Sequence, residues 1–529
     1  MARETLGDDE RTRRVTGADS QPWLGQPWLG NPPLNLARWC IERHALDPAA
    51  AARPALSFVD AADGVTTWTY AEVWAHVQRI ARGLRARGLA TGERVLVRLP
   101  HSPEYAFAFM GATLAGLVPI PVSPMLTEGE LRFLLQDTEA AAVIGGAAAE
   151  VADFRGVTIA TEELARLDGT AALPETHAED PAYILYTSGT TDRPKGAAHA
   201  HRSVYGRAMM RAWQDFRPTD VTFHPGTLNW MFTLGTGLMD PWAAGAHAVL
   251  ASGPAEPARW PRLIRELGVT IFIAVPTVYR QMLKYATPEE IRGRLRHVLC
   301  AGEPLLPTLL EEWRTRVGTE MYEALGMTEM STYISTGPGV PIRPGSAGRP
   351  QPGRRVAILP IEGDSEEPLP PDETGLLAVH RSDPGLMLGY WRRPAEQAAV
   401  IRGEWFIGGD LCSMDADGYV WFRGRADDVI KSFGYRLSPL EIEKVIDTFP
   451  AIAEACVVPH RIDDQRTLVT ACVVARDGTT IDRDALARYV EARLAEYKRP
   501  HEYVVMESLP RTRNGKVLRR ELVAQLERG

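Results

Sequence analysis

From Trp68 to about Gly375 the chain alternates stretches of helical and strand periodicity, and this alternation constrains the fold more than any other feature. "YAEVWAHVQRIARGLRARG" carries apolar residues at helical spacing and stops at Gly88. "ERVLVRLP" reads as a buried strand, "PEYAFAFMGATLAG" as a helix, and "LVPIPVSP" as a strand ending on prolines. "AAVIGG", "VTIFIAVP", "HVLCAGEP" and "GTEMYEALG" read as core strands entering loops. Strands alternating with helices predict mostly parallel sheets covered on both faces, an α/β architecture. After Gly375 the pattern shifts to short strands broken by Gly, Asp and Pro, as in "GLLAVHRSDPGLMLGYW". A compact tail follows: helix "PLEIEKVIDTF", strands "IAEACVVP" and "LVTACVVA", helix "DRDALARYVEARL", and the basic end "PRTRNGKVLRRELV". A boundary falls near Arg425–Asp428, and the last roughly one hundred residues suit a small α+β domain.

A chain of 529 residues with 45% hydrophobic content can bury several cores. Its net charge of -8 lacks the basic excess of a nucleic-acid protein. Cys40, Cys300, Cys412, Cys456 and Cys472 have no zinc or redox spacing and read as buried small hydrophobes in a reducing compartment. The first twenty residues are charged and lack the apolar centre of a secretory signal, and no apolar run is long enough to span a bilayer. A soluble cytoplasmic protein is expected, with a mobile tail over 1–20. "QPWLGQPWLG" at Gln21–Gly30 is a single duplication whose Trp23 and Trp28 are expected to dock that tail on the body.

The stretch "YTSGTTDRPKG", Tyr186–Gly196, leaves the apolar strand "AYILY". A Gly- and Ser/Thr-rich turn after a strand presents consecutive backbone N–H groups that can cradle an anion, with Lys195 as a point charge. It is not a Walker loop, because the spacing fails. On composition alone, a phosphate cradle and a polar surface loop are equal readings.

Five further blocks accompany it: "AGEP" (Ala301–Pro304), "YEALGMTE" (Tyr322–Glu329), "EWFIGGD" (Glu404–Asp410), "GRADDVIKSFGYRLSPLEIE" (Gly424–Glu443) and "PRTRNGKVLRR" (Pro510–Arg520). In this order they resemble the adenylate-forming superfamily, and in particular AMP-forming acyl- and aryl-CoA synthetases of the medium-chain and benzoate types. The resemblance implies an N-terminal AMP- and acyl-binding domain over 21–426, with mostly parallel sheets and a distorted β-barrel subdomain. A mobile α+β catalytic domain over 427–529 would follow. It implies ATP, Mg²⁺ and CoA and two steps: a carboxylic acid becomes acyl-AMP with loss of pyrophosphate, and a thiol then displaces AMP; separately, a monomer or homodimer is expected. The first step joins two anions and expels a third, so the site must supply positive charge and alignment.

By the same resemblance, Thr187, Ser188, Gly189, Thr190, Thr191 and Lys195 would hold the phosphates, with Thr190 and Glu329 at the magnesium. Gly302, Glu303, Pro304 and Tyr322 would line the adenine pocket, and Thr328 the nucleotide site. Asp410 and Arg425 would grip the ribose. Lys516 would be the catalytic lysine bridging carboxylate and α-phosphate, together with Lys195 and Glu329. Asp427 would be the hinge, and Gly434, Tyr435 and Arg436 the CoA contacts. Two positions depart from the pattern. Asp192 stands where Gly is usual and is expected to turn from the phosphates onto its own loop. Gly408 replaces a Thr and removes a hydroxyl.

Gly326 stands where acetate-activating relatives have a pocket-blocking Trp, so a deeper pocket is expected. Trp230, Met231, Leu234, Val275, Gly326, Met327 and Ser331 are the candidate lining, and mostly apolar walls favour a medium-sized aliphatic, alicyclic or aromatic acid. Free CoA is the expected acceptor. An acyl carrier protein is the alternative, and a non-catalytic nucleotide sensor is the reading from another class.

Overall fold

The structure is a computed structural model, described over residues 26–145, 154–187, 194–253, 256–428, 430–432, 435–462, 467–511 and 517–528. The chain divides into two compact units. One takes residues up to Arg355 together with Val379–Glu404; the other takes Val356–Ala378 and the chain from Trp405 onward. The boundary expected at 426/427 falls inside the second unit, at the turn Ala426–Asp428.

The alternation read from the sequence becomes two parallel-rich sheets in the first unit. One runs in the order Arg349–Pro350, Ser331–Ser335, Met321–Met327, His297–Ala301, Ile271–Ala274, Val221–Phe223, His247–Ala251, Pro54–Val59, Val65–Thr69. Strands from Met321–Met327 to Pro54–Val59 pair in parallel, and the flanking ones antiparallel. The other sheet, Val118–Pro121, Arg94–Val97, Ala142–Ile144 and Val157–Ile159, is parallel throughout. Every residue of Ile271–Ala274 and His297–Ala301 is buried, as required of strands covered on both faces. A third, antiparallel sheet joins Gly389–Tyr390, Lys195–Ala200 and Pro181–Thr187.

The helices follow local chemistry. Thr69 and Glu72 form a reciprocal cap that starts helix Tyr70–Ala86, which buries Val73, Val77, Ile80 and Leu84 along one stripe. Gly88 follows at φ +83°. Helix Pro103–Leu114 starts with Pro at its first turn and is apolar on nearly all sides, so it sits in the core. A Cβ at Gly111 would lie 2.6 Å from Ile80 Cγ2, so the glycine lets these two helices touch. Trp28 is buried against Tyr205, with ring centroids 5.6 Å apart, as expected of a docked segment; Trp23 lies outside the described residues. All five cysteines are buried and unpaired. Among the described residues no helix is long and apolar enough to cross a membrane.

One irregularity was not legible in advance. Helix Met231–Leu234 runs on as a π-helical turn, Gly235–Met239. A side chain at Gly235 would collide with the guanidinium of Arg207, which occupies that space and pairs with Asp240. Wide helical turns of this kind arise where a group is inserted beside the ladder.

In the second unit, Val356–Leu359, Trp405–Met414, Val420–Arg425 and the start of Gly375–His380 form a curled sheet, the counterpart of the expected barrel subdomain. Beyond it, Ile452–Arg461, Thr467–Ala475 and Glu502–Met506 make a sheet, antiparallel then parallel. Helices Pro439–Ile446, Arg483–Glu491 and Arg519–Leu526 accompany it, which is the α+β pattern expected of the tail. Ile442, Ile446, Val457, Val469, Val473, Leu486 and Val490 are its core.

Candidate active site

Thr187 and Lys195 face each other across the antiparallel pair Pro181–Thr187/Lys195–Ala200, at the mouth of the Ser/Thr/Gly loop. Ser188, Gly189, Thr190, Thr191 and Asp192 lie outside the described residues. The Lys195 ammonium sits 5.4 Å from the centre of the Tyr390 ring. The same tyrosine donates its hydroxyl to Glu329 Oε1 at 2.7 Å. A cation and a hard oxygen donor, 134 positions apart by their numbers, are thus gathered on one aromatic ring.

Glu329 rides on a hairpin between Met321–Met327 and Ser331–Ser335, and the tip of that hairpin is tied at Thr328, Glu329, Ser331 and Thr332. His199 Nε2 donates to the Thr328 carbonyl at 2.9 Å. The Met387 N–H donates to the Glu329 carbonyl at 2.8 Å. Arg207 Nη1 donates to Ser331 Oγ at 3.2 Å, and Arg354 Nη2 to the Thr332 carbonyl at 3.1 Å. Both arginines are buried and each is matched by a buried acid: Arg207 by Asp240 at 2.5 and 2.7 Å, Arg354 by Asp383 at 2.8 Å. Gln214 adds a 2.6 Å hydrogen bond to Asp240. Ser331 holds φ +81°, a left-handed conformation that costs a non-glycine residue energy unless its surroundings enforce it. A Cβ on Gly326 would lie 2.6 Å from the Ser331 carbonyl oxygen and 2.7 Å from Thr332 Cα. The register shift between Leu325 and Gly326 brings these backbones together. Gly326 therefore has a local structural cause besides the pocket depth expected of it, and the Ser331 hydroxyl is occupied by Arg207. Met327 pairs with Ser331 at the hairpin's end and is half-buried.

Gly302 takes φ +90°, and a Cβ there would sit 3.4 Å from the Trp230 ring and from Val275 Cγ1. Trp230, Val275 and Tyr322 belong to one apolar cluster, whereas Met231 and Leu234 pack into the main core of the unit. Tyr322 is half-buried, and one face of its ring stacks on His297 at 4.7 Å. Glu303 Oε2 accepts from the Thr277 N–H at 3.0 Å and hydroxyl at 2.7 Å, capping the first turn of helix Pro276–Tyr285, while its buried Oε1 has no partner among the described residues. Pro304 is exposed beside it. His224 stands edge-on to Trp230 at 6.3 Å and to Phe232 at 4.8 Å. Its Nδ1 accepts the Gly226 N–H at 3.0 Å, so its proton lies on Nε2; burial, then the neighbouring His101, pushes its pKa down to about 3.

In the second unit Asp410 is buried and faces Arg425 across strands Trp405–Met414 and Val420–Arg425. Arg425 Nη1 donates to Asp410 Oδ1 at 2.9 Å and to the Gly408 carbonyl at 2.7 Å. Gly409 at φ +81° lets the chain turn beside that guanidinium. Asp427 lies in the turn Ala426–Asp428. Tyr435 and Arg436 pair in register with Ser432 and Lys431. Gly434 and Lys516 lie outside the described residues. The chain on both sides of Lys516 is held: Arg511 bridges Val517, and Arg511 pairs with Glu454 at 2.5 Å. Arg519 makes a two-pronged pair with buried Glu443, at 2.7 and 2.9 Å, and donates to the Val457 carbonyl at 2.7 Å.

Residues 43–391 match the AMP-binding enzyme family, and residues 441–516 match the AMP-binding enzyme C-terminal domain. The chain belongs to the AMP-binding enzyme family. It is 30% identical over 485 residues to the human mitochondrial acyl-coenzyme A synthetase ACSM3, covering 86% of this chain and 83% of that one. It is 31% identical to the 3-hydroxybenzoate–CoA ligase of Aromatoleum sp. (strain CIB), over 88% of this chain and 93% of that one. Its fold matches the ATP-bound crystal structure of MatB from Rhodopseudomonas palustris with a TM-score of 0.84 at 28% identity, over 94% and 99% of the two chains.

Within this AMP-binding enzyme, Glu329 is suited to a hard cation. Oε1 is taken by Tyr390, and Oε2 has no partner among the described residues. No group of three or more His, Cys, Asp or Glu that could hold a metal lies among the described residues. A single carboxylate held in this way could take a hard cation that brings its own waters and phosphate ligands with it. Tyr390, His224 and the Arg207–Asp240 pair were not singled out from the sequence. Their partners lie up to 124 positions away, and no local spacing marks them.

Proposed function

We propose that this chain is an AMP-forming acid–CoA ligase acting on a medium-sized hydrophobic carboxylic acid. A carboxylate oxygen attacks the α-phosphorus of ATP, the bond to the β-phosphate oxygen breaks, and pyrophosphate leaves. The CoA thiol then attacks the acyl carbon and AMP departs. Mg²⁺ bound with ATP would spread the charge of the departing pyrophosphate. Lys195 would bind the β- and γ-phosphates, and Glu329 would fix the metal beside them. Asp410 and Arg425 would hold the ribose, and Lys516 would bring a second cation to the α-phosphate.

The observation that carries this reading is the convergence of Lys195 and Glu329 on Tyr390, at 5.4 and 2.7 Å, in a chain of this family. Trp230 and Val275, grouped beside Gly302, support an apolar acyl wall. The acyl-CoA synthetase and 3-hydroxybenzoate–CoA ligase among its relatives support aliphatic or aromatic acids. The buried, unpaired cysteines suit a reducing, cytoplasmic setting. The test is acid-dependent release of pyrophosphate from ATP across a carboxylate panel, followed by CoA consumption. Pyrophosphate release with no loss of CoA, but with acylation of an added carrier protein, would replace the acceptor. Acetate or an α-amino acid as the best substrate would refute the acid class. No adenylated product with any acid would refute the chemistry.

A further inference from the structure

We infer that Tyr390 is a positioning residue that holds Lys195 and Glu329 apart and each in working orientation; this rests on the proposed use of those two groups for ATP and its metal. Lys195 and Glu329 are both half-buried and of opposite charge, yet they make no ion pair with each other. Between them stands the Tyr390 ring. Its face takes the ammonium at 5.4 Å and its hydroxyl donates to the carboxylate at 2.7 Å. Donation to an anion pushes electron density into the ring, and a more negative ring face attracts a cation more strongly. The two charges therefore sense one another through the tyrosine without cancelling. Direct pairing would occupy the ammonium meant for phosphate and the carboxylate meant for metal.

The tyrosine is itself held firmly. Tyr390 pairs with Ala197 on the strand that Lys195 begins, and Gly389 with Ala198. The N–H groups of Leu388 and Trp391 donate to the Ala198 and Gly196 carbonyls, both at 2.7 Å. The Tyr390 N–H donates to Gln397 Oε1 at 3.1 Å. Met387, three residues earlier, donates to the Glu329 carbonyl, so one segment grips both the backbone and the side chain of the glutamate. The carboxylate, docked through Oε1, keeps Oε2 for a cation. Partners that orient a metal's ligands in this way typically change metal affinity by about ten- to a hundredfold when removed.

The two halves of the role separate in two variants. Tyr390→Phe keeps the ring under Lys195 and frees the carboxylate. Tyr390→Leu removes both supports. Binding is read without turnover, by calorimetry with ATP in EDTA and by electron paramagnetic resonance of Mn²⁺ added with ATP. Tyr390→Phe is expected to bind Mn²⁺ about tenfold more weakly in the presence of ATP, with metal-free ATP affinity within about twofold of wild type. Tyr390→Leu is expected to lose about fivefold or more in metal-free ATP affinity as well, because Lys195 can then fall onto Glu329. Unfolding midpoints identify a variant that has lost its fold, and Phe, which preserves the ring, is the deciding one. Unchanged or tighter Mn²⁺ binding by Tyr390→Phe overturns the inference. If the wild type binds Mn²⁺ and ATP but forms no acyl-adenylate, the ligase reading fails while this test still returns its answer.

Discussion

Replacing Gly326 with alanine separates two causes for that glycine. A Cβ at this position lies 2.6 Å from the Ser331 carbonyl oxygen, 2.7 Å from Thr332 Cα and 2.9 Å from the Ser331 carbonyl carbon. All three are backbone atoms, so no rotamer change relieves the contact, and the hairpin must open by several tenths of an ångström. The opening is resisted by the Arg354 bond to the Thr332 carbonyl and the Arg207 bond to Ser331. Overpacking of this kind costs about 1–3 kcal/mol. The displacement is shared by Glu329, which lies between the two clashing segments, and a misplacement of about 1 Å at a reacting site can lower rate about a hundredfold. Gly326→Ala is therefore predicted to lose about tenfold or more in kcat/KM for every acid in a panel, short or long, with a lowered thermal midpoint. Pyrophosphate release at varied acid, from well below KM to saturation with ATP and Mg²⁺ in excess, together with calorimetry, measures both effects. A variant that keeps full activity on short acids and loses only long ones would refute this reasoning and make the residue a pocket determinant alone.

Three other predictions concern separate parts of the molecule. His199, His201 and His224 are 1–2% exposed and held at about 3, 4 and 3, chiefly by burial. The unfolded chain binds their protons near pH 6.5, so stability should fall as pH drops below that value, by about 4 kcal/mol per unit for the three together; a urea midpoint that stays flat from pH 7 to 5 would refute their neutrality. Asp410→Ala removes the carboxylate facing Arg425 and should raise the KM for ATP about tenfold or more, from the loss of charge-assisted hydrogen bonds worth about 1.5–3 kcal/mol; an unchanged KM would confine the pair to holding its two strands. Glu443→Gln leaves the Arg519 charge, at a pKa raised above the ordinary value, without its two-pronged partner, and should cost about 3–5 kcal/mol in urea unfolding; a Glu443→Leu, Arg519→Met double variant should recover much of that loss, and its failure to do so would point to a role beyond charge pairing.

Local signals carried the fold a long way because each is settled within a few residues. Thr69 and Glu72 cap their own helix, and the apolar stripe from Val73 to Leu84 buries one face of it. The all-apolar Ile271–Ala274 can only be a covered strand once its length rules out a helix. Lys195 and Glu329, by contrast, stand out only through the resemblance of their blocks to a known family, and nothing local announces the hairpin that carries Glu329. What stayed hidden is of another kind. Arg207 reaches Ser331 across 124 positions and Tyr390 reaches Glu329 across 61, and periodicity has no term for either distance. Asp410 and Arg425 were both assigned to the ribose, but their register across two strands also makes them partners of each other.

Gly326 shows the limit most sharply. In a sequence a glycine is a missing side chain, and the space it leaves can receive either a guest or another part of the chain. Only the register shift beside it, which brings Ser331 and Thr332 within 3 Å of its absent Cβ, shows that backbone has already taken the space. The same hairpin then places a serine at φ +81° and answers it with an arginine whose own charge is matched by a buried acid. Each step compensates for the one before. The proposed site needs the Glu329 carboxylate held still, and that rigidity comes from residues assigned no contact with substrate. Such residues have no motif, because any well-packed surroundings that fix the same atoms would serve.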